Sequence, residues 1–254
     1  MILDSFKLDG KVALVTGAAQ GLGQGMALAL AEAGADIASL DRIGCEGTCE
    51  SVRALGRKYC ESVLDLRTAS VDDLKAVVAR IVDEMGHIDI LINNAGTIRR
   101  APAIDFSETD WDDVLQINLK AAFFLAQAAA RSMIAQGGGK IINTASMLSF
   151  QGGVIVPSYT ASKSGLAGLT RALANEWAKH NINVNAIAPG YMATDNTAAL
   201  RADPSRSTSI LDRIPAGRWG TPDDLRGAVV FLASSASDYM HGAIIPVDGG
   251  WLTR

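Results

Sequence analysis

The chain has 254 residues, 48% of them hydrophobic and 20% charged, with a formal net charge of −4. That length and apolar content suit one large domain, spanning residues 1–254, with a sizeable core, and the acidic balance speaks against nucleic acid or an anionic membrane as partner. Three cysteines and three histidines form no ligand cluster, so no metal site is expected, and the thiols read as reduced, as in a cytoplasmic protein.

The first ten residues hold Asp4 and Asp9 and no long apolar run, unlike a signal peptide. Val12-Ala13-Leu14-Val15 then reads as a strand buried on both faces. It runs into Thr16-Gly17-Ala18-Ala19-Gln20-Gly21-Leu22-Gly23, followed by an alanine-rich helical segment closed by Gly34. Strand, glycine turn and helix form the setting of a phosphate site. Glycines let the backbone approach a pyrophosphate, and a helix N-terminus offers N–H groups and a favourable dipole. Gly17, Gln20, Gly21, Leu22 and Gly23 are therefore candidate dinucleotide contacts.

A second strand, Asp36 to Leu40, stops at Asp41. An acidic residue about twenty positions after the glycine turn accepts hydrogen bonds from adenosine ribose hydroxyls and repels a 2′-phosphate. Gln20 brings no cation to offset that repulsion, and only the neighbouring Arg42 could, so NAD is the expected cofactor. A helix over Cys45 to Leu55 and a strand over Tyr59 to Leu64 lead to Asp65-Leu66. Asp65 either meets the adenine amino group or finishes a turn. Ser70-Val71-Asp72-Asp73 opens a helix that Gly86 closes, and Ile88 to Ile92 is a strand ending in Asn93-Asn94-Ala95-Gly96. Alternating strands and helices predict a parallel sheet with helices on both faces, whose ligands lie at the carboxyl ends of the strands. Asn93, Ala95 and Gly96 fall at that edge.

Ser107 starts a helix running to about Ala135, with the polar Asn118 inside its apolar face. Asn118 is either a satisfied core amide or a group that holds a water beneath the reacting centre. Ala121–Ala135 is too short and too polar, with Gln127 and Arg131, to span a membrane. After Gly137-Gly138-Gly139 a fifth strand ends at Thr144-Ala145-Ser146, which puts Ser146 at the same edge. The loop from Met147 to Val156, containing Gln151, is long enough to line a substrate pocket. Pro157 to His180 reads as one helix with proline in its first turn. In it Tyr159 and Lys163, four residues apart, project side by side. A nearby lysine cation favours tyrosinate, so the pair reads either as a tuned acid–base group or as an aromatic packed under a lysine stem. A sixth strand, Ile182 to Ile187, meets Pro189-Gly190 and then Thr194. The polar stretch 191–220 reads as an irregular lid. Thr221-Pro222-Asp223-Asp224 opens another helix, and Ala243 to Val247 is the seventh strand.

Thr16-Gly17-x-x-x-Gly21-x-Gly23, Asn93-Asn94-Ala95-Gly96, Ser146, Tyr159-x-x-x-Lys163 and Pro189-Gly190 occur in order and at strand ends. Through them the chain resembles the short-chain dehydrogenase/reductase family over nearly its whole length. That resemblance implies a single-domain, Rossmann-like, doubly wound parallel sheet of seven strands, and hydride transfer by a tetrad of Asn118, Ser146, Tyr159 and Lys163. By it Tyr159 exchanges the proton with the substrate oxygen, Ser146 orients that oxygen, Lys163 also binds the nicotinamide ribose, and Asn118 anchors a water. It further implies cofactor contacts at Pro189, Gly190 and Thr194, and a homotetramer built through the long helices and the last strand.

Stretches around Ile98-Arg99-Arg100, Ser146–Gly153, Asn175–His180, Ala188–Thr194 and Ile214–Gly220 resemble family members that act on sugar acids. A carboxylate substrate calls for a cation, so Arg99, Arg100 and Arg218 are candidate partners, with Met147, Gln151 and Tyr191 lining the pocket. Alternatives are oxidation of gluconate at its 5-position, reduction of a 3-oxoacyl thioester, or a non-catalytic NAD sensor or scaffold.

Overall fold

The computed structural model describes all 254 residues. Seven strands alternate with helices along the chain: β1 (Val12–Thr16), α1 (Gly21–Glu32), β2 (Asp36–Asp41), α2 (Glu46–Ala54), β3 (Tyr59–Val63), α3 (Val71–Met85) and β4 (Ile90–Asn93). Then come α4 (Glu108–Leu115), α5 (Ala122–Gln136), β5 (Gly139–Thr144), α6 (Pro157–Trp177), β6 (Ile182–Pro189), α7 (Ala198–Ala202), α8 (Pro204–Leu211), α9 (Asp223–Ala233) and β7 (Ile244–Val247). All strand pairs are parallel, in the order β3-β2-β1-β4-β5-β6-β7. The order reverses between β1 and β4, and that switch point opens a crevice at the carboxyl edge.

The strands explain themselves through their burial. Every residue of β1 and β6 is buried, so neither strand needs polar alternation. Successive side chains of β1 serve opposite faces. Leu14 packs in the layer with Ile81, Leu125 and Trp177, while Ala13 and Val15 join Met26, Leu30 and Val229. Two helical layers thus cover one sheet, α3, α5 and α6 on one face and α1 and α9 on the other.

The local signals act as expected at several boundaries. Ser70 Oγ accepts from the Asp73 N–H at 3.1 Å, and the Asp73 carboxylate accepts from the Ser70 N–H at 2.9 Å. Ser107 caps α4 with one bond, its Oγ accepting from the Asp110 N–H at 3.1 Å. Pro157 occupies the first turn of α6.

Three boundaries differ. The fourth strand begins at Ile90 rather than Ile88, because the Asp89 carboxylate takes the Val12 N–H at 2.9 Å and Lys11 at 3.0 Å. The helix expected from Ser107 to Ala135 is interrupted by a π-helical turn over Gln116–Ala121; such turns widen a helix locally and gather at functional sites. The lid is largely helical. The Asp203 carboxylate accepts from the N–H groups of Ser205 and Arg206 at 3.0 and 3.1 Å, and Pro204 opens α8. The Asp203-Pro204 pair is a helix start that a reading of polarity alone passes over.

Candidate active site

The glycine turn builds one wall of the crevice. Gly17 and Gly21 have φ of +69° and +61°, and a Cβ on Gly23 would lie 1.9 Å from the Gly17 carbonyl oxygen. Asn94 Nδ2 donates to the carbonyls of Thr16 and Gly17 at 3.0 and 3.3 Å, and Thr16 Oγ1 accepts from the Asn94 and Ala95 N–H groups at 2.9 Å each. The ends of β1 and β4 are thereby locked together under a cavity of about 680 Å³, a size suited to a small-molecule cofactor. Gly17, Gln20, Gly21, Leu22, Gly23, Asp41, Asp65, Leu66, Ala95, Gly96, Tyr159, Lys163 and Thr194 all line it.

Asp41 is held at the far end of this cavity. Its two carboxylate oxygens accept from the Ala19 N–H at 3.0 Å and the Arg42 N–H at 2.7 Å, which leaves lone pairs facing the cavity. Asp65 finishes a turn, accepting from the Arg67 N–H at 2.9 Å, and still lines the cavity. Gln20 Nε2 reaches across to Asp195 at 3.0 Å, linking the glycine turn to the lid.

Other expected contacts lie elsewhere. Asn93 is buried beneath the cavity, donating to the Ala122 carbonyl at 3.2 Å and to Asn143 Oδ1 at 2.9 Å. Pro189 ends β6, and Gly190 sits where a Cβ would lie 2.6 Å from the Asp248 Cα; neither lines the cavity. Asn94, Thr97, Ile117, Thr144 and Ala193 line it instead. Asn94 and Thr144 stand within the motifs already noted, so strand-end position was the signal for them, whereas Ile117 enters only through the π turn.

Tyr159 and Lys163 do project together from α6 into the cavity floor, with the Lys163 ammonium 5.7 Å from the phenol ring centroid. The electrostatics differ from a simple lysine-lowered phenol. Lys163 Nζ donates to the Thr144 carbonyl at 2.5 Å, and burial brings its ammonium down to about 8. Burial pushes the Tyr159 phenol up, and the Ser146 hydroxyl and the Arg100 charge pull it partly back. Because Tyr159 still opens on the cavity, that upward push is weaker than for a sealed core tyrosine. Ser146 is buried at the end of β5, and its hydroxyl accepts from the Leu148 N–H at 3.1 Å. Asn118 is buried in the π turn. Its Oδ1 accepts from the Thr97 N–H at 2.8 Å, and its Nδ2 donates to the Thr97 carbonyl at 3.0 Å and to Ser162 Oγ at 3.1 Å. The Asn118 side chain is thus a satisfied amide, and it reaches Tyr159 through Ser162, whose hydroxyl donates to the Tyr159 carbonyl at 2.8 Å.

The expected substrate residues divide. Arg100 forms no ion pair and donates to the Asn196 carbonyl at 3.2 Å. Arg99 lines the cavity but is paired with Asp110 at 3.1 Å and Asp113 at 3.4 Å. Arg218 is clamped by both oxygens of Asp224 at 2.6 and 2.8 Å, away from the cavity. Met147 is buried with Ile210, Ile214 and Trp251. Tyr191 packs edge-on against Trp219 and Trp251, at centroid distances of 5.5 and 4.8 Å. Gln151 faces Arg213 at 3.5 Å. None of these last four lines the cavity, and neither does the exposed Arg100, which reaches it only through its bond to Asn196.

A switch-point cavity with a glycine turn on one wall and a Tyr–Lys pair on its floor defines an NAD(P)-linked α/β oxidoreductase acting on CH–OH groups. The chain belongs to the short-chain dehydrogenase/reductase family: residues 17–252 match the family described as enoyl-(acyl carrier protein) reductase. It is 65% identical over 255 residues to the 2-dehydro-3-deoxy-D-gluconate 5-dehydrogenase of Escherichia coli K12, and 62% identical to that of Dickeya dadantii, with 100% of both chains covered in each case. Among solved structures it resembles a putative 2-deoxy-D-gluconate 3-dehydrogenase from Agrobacterium tumefaciens with bound NADP. There the identity is 53% and the TM-score 0.92, over 99% of this chain and 100% of that one. No helix is long and apolar enough to cross a membrane.

Proposed function

We propose that this chain oxidises the 5-hydroxyl of 2-dehydro-3-deoxy-D-gluconate with NAD. The reading is supported by one juxtaposition: Tyr159 lines the dinucleotide cavity, and Arg100, which forms no ion pair and donates to the cavity-lining Asn196, stands close enough for its charge to act on the phenol. Proton exchange and carboxylate capture thus sit together. The full-length relatives named above support the same substrate.

The residues present fit a dinucleotide. The glycine turn is a cradle that a Cβ would fill, and Thr144 Oγ1 is buried without a partner on the cavity floor. Gly17, Gly21 and the first turn of α1 would face the pyrophosphate, Asp41 the adenosine ribose, and Lys163 the nicotinamide ribose. When bound, the nicotinamide supplies the hydride acceptor. The chain supplies the rest. Tyr159 takes the proton from the substrate hydroxyl during oxidation, or returns it during reduction. Ser146 donates a hydrogen bond to the developing oxyanion. Lys163, mostly charged near neutrality, would add a cation 5.7 Å from the Tyr159 ring to the pull of Ser146 and Arg100 on the phenol. Asn118 positions Tyr159 through Ser162. Arg100 meets the substrate carboxylate.

NAD is proposed over NADP because Asp41, at the end of β2, lines the cavity and would repel a 2′-phosphate, although Arg42 and Arg67 line it too. The bound NADP of the Agrobacterium structure makes this the finer point to test. A cytoplasmic homotetramer completes the proposal. It is supported by the free thiols of Cys45 and Cys60 in the interior and by an apolar groove between α5 and α6 that includes Leu119, Phe123 and Leu169.

The test is NADH formation on 2-dehydro-3-deoxy-D-gluconate, D-gluconate and 2-deoxy-D-gluconate, repeated with NADP and with Asp41→Ala. A lead in kcat/KM for the first compound with NAD, lost to NADP parity in Asp41→Ala, is expected. A lead for D-gluconate would move the assignment to a gluconate 5-dehydrogenase, and equal rates with NADP in the unmodified enzyme would remove the role of Asp41.

A further inference from the structure

Arg99 and Arg100 are adjacent in sequence and look interchangeable as carboxylate ligands, but the structure gives them opposite surroundings. The Arg99 fork is occupied on three nitrogens. Nε donates to Asp110 at 3.1 Å, Nη2 to Asp113 at 3.4 Å, and Nη1 to Thr97 Oγ1 at 3.0 Å. Two carboxylates around one guanidinium leave the cluster with a formal charge of −1, which repels a substrate carboxylate rather than drawing it in. Arg100 has no carboxylate near enough to pair.

The same contacts link Arg99 to the reacting group. Thr97 is bound to Asn118 through both its N–H and its carbonyl, at 2.8 and 3.0 Å. Asn118 donates to Ser162 at 3.1 Å, and Ser162 donates to the Tyr159 carbonyl at 2.8 Å. The segment beyond Arg100 is tied down as well, since the Ala101 N–H donates to the Ile155 carbonyl at 3.1 Å. Ile155 itself has φ of +59°, a conformation that a β-branched residue adopts only where its surroundings impose it. Residues 97–101 are therefore fixed at both ends, with the Arg99 fork as the fastening to α4.

We propose that Arg99 is a positioning residue, held by Asp110 and Asp113, that fixes the 97–101 segment and through it both the Tyr159 backbone and the aim of Arg100. It makes no contact with the substrate carboxylate. The proposal rests on the sugar-acid reading only for the role of Arg100; the link to Tyr159 stands for any substrate.

The two possible roles of Arg99 predict opposite signs for a change made elsewhere. If Arg99 were the carboxylate ligand, freeing it in an Asp110→Asn/Asp113→Asn double variant would lower KM for the sugar acid. If it is a fastening, the same double variant behaves like Arg99→Ala. The experiment compares the unmodified enzyme, Arg99→Ala, Arg99→Lys and the double variant on 2-dehydro-3-deoxy-D-gluconate and on an uncharged sugar alcohol, with NADH affinity measured by fluorescence as a control of folding. We expect kcat to fall roughly 10- to 100-fold on both substrates in Arg99→Ala and in the double variant, as a misplaced reacting group does. Lysine should restore little, because it lacks the fork, and NADH affinity should stay near that of the unmodified enzyme. A lower KM for the acid in the double variant, or a loss confined to KM for the acid in Arg99→Ala, would overturn the proposal. Should the unmodified enzyme oxidise the uncharged alcohol but no sugar acid, the substrate reading fails while the kcat comparison still decides the role of Arg99.

Discussion

The two ends of the crevice are made in different ways. At the glycine-turn end the surface is mostly backbone: the φ values of Gly17 and Gly21, the contact of Gly23 with Gly17, and the Asn94 clamp leave little for side chains to decide. At the other end, and in the lid region outside the cavity, the expected substrate groups are side chains that first satisfy one another. Arg99 is taken by Asp110 and Asp113, Arg218 by Asp224, and Tyr191 by Trp219 and Trp251. A backbone-built site declares itself by residue type and spacing, because only glycine tolerates its geometry. A side-chain-built site depends on which partner wins each group, and that is settled in three dimensions.

The sharpest way to break the backbone half is Gly23→Ala. With the new Cβ 1.9 Å from the Gly17 oxygen, the turn must open, and NADH affinity is expected to fall roughly 100-fold by fluorescence titration. Unchanged affinity would show that the turn does not contact the dinucleotide.

The side-chain half is sharpened by contrasting two arginines. Arg100→Ala should raise KM for the sugar acid roughly 10- to 100-fold, the range for a charged hydrogen bond, and leave an uncharged substrate nearly unaffected. Arg218→Ala should leave KM for both unchanged, since its guanidinium is spent on Asp224. Equal effects of the two variants would erase the distinction.

The smallest effect is in pH. Burial disfavours the Lys163 ammonium and places its titration at about 8. Its charge is therefore present below that value and lost as pH rises through it, while burial keeps the Tyr159 phenol protonated to higher pH. For ketone reduction, which needs tyrosine as the acid, kcat/KM should be level on the acid side and decline severalfold above about pH 8. Lys163→Arg, charged throughout, should remove the decline in whatever activity it retains. A profile rising through pH 8 would contradict the assignment.

The same contrast explains what could be read from the chain alone. The seven strands, their parallel sense and the carboxyl-edge cluster of the glycine turn, Asp41, Asp65, Ala95 and Gly96 follow from apolar runs, glycine turns and strand ends, and the Tyr159–Lys163 pair from helical spacing. The π turn at Gln116–Ala121 does not, since nothing in Gln-Ile-Asn-Leu-Lys-Ala marks a change of helical pitch. Asn93 fell to the core rather than the cavity because it is the last residue of β4, one position before the chain turns toward the crevice. The helices of the lid were hidden by polarity, although Asp203-Pro204 signals one of them. Arg99 and Arg100 could not be separated without seeing which one faces Asp110 and Asp113.

The most direct test of the account is to measure binding and turnover together in Tyr159→Phe. Removing one hydroxyl from the cavity floor leaves the glycine turn, Asp41 and Lys163 in place. NADH affinity should stay within a few-fold of the unmodified enzyme, while kcat on 2-dehydro-3-deoxy-D-gluconate falls on the order of 100- to 10,000-fold. Turnover persisting at near-normal rates would take the acid–base role away from Tyr159, and with it the chemistry assigned to this cavity.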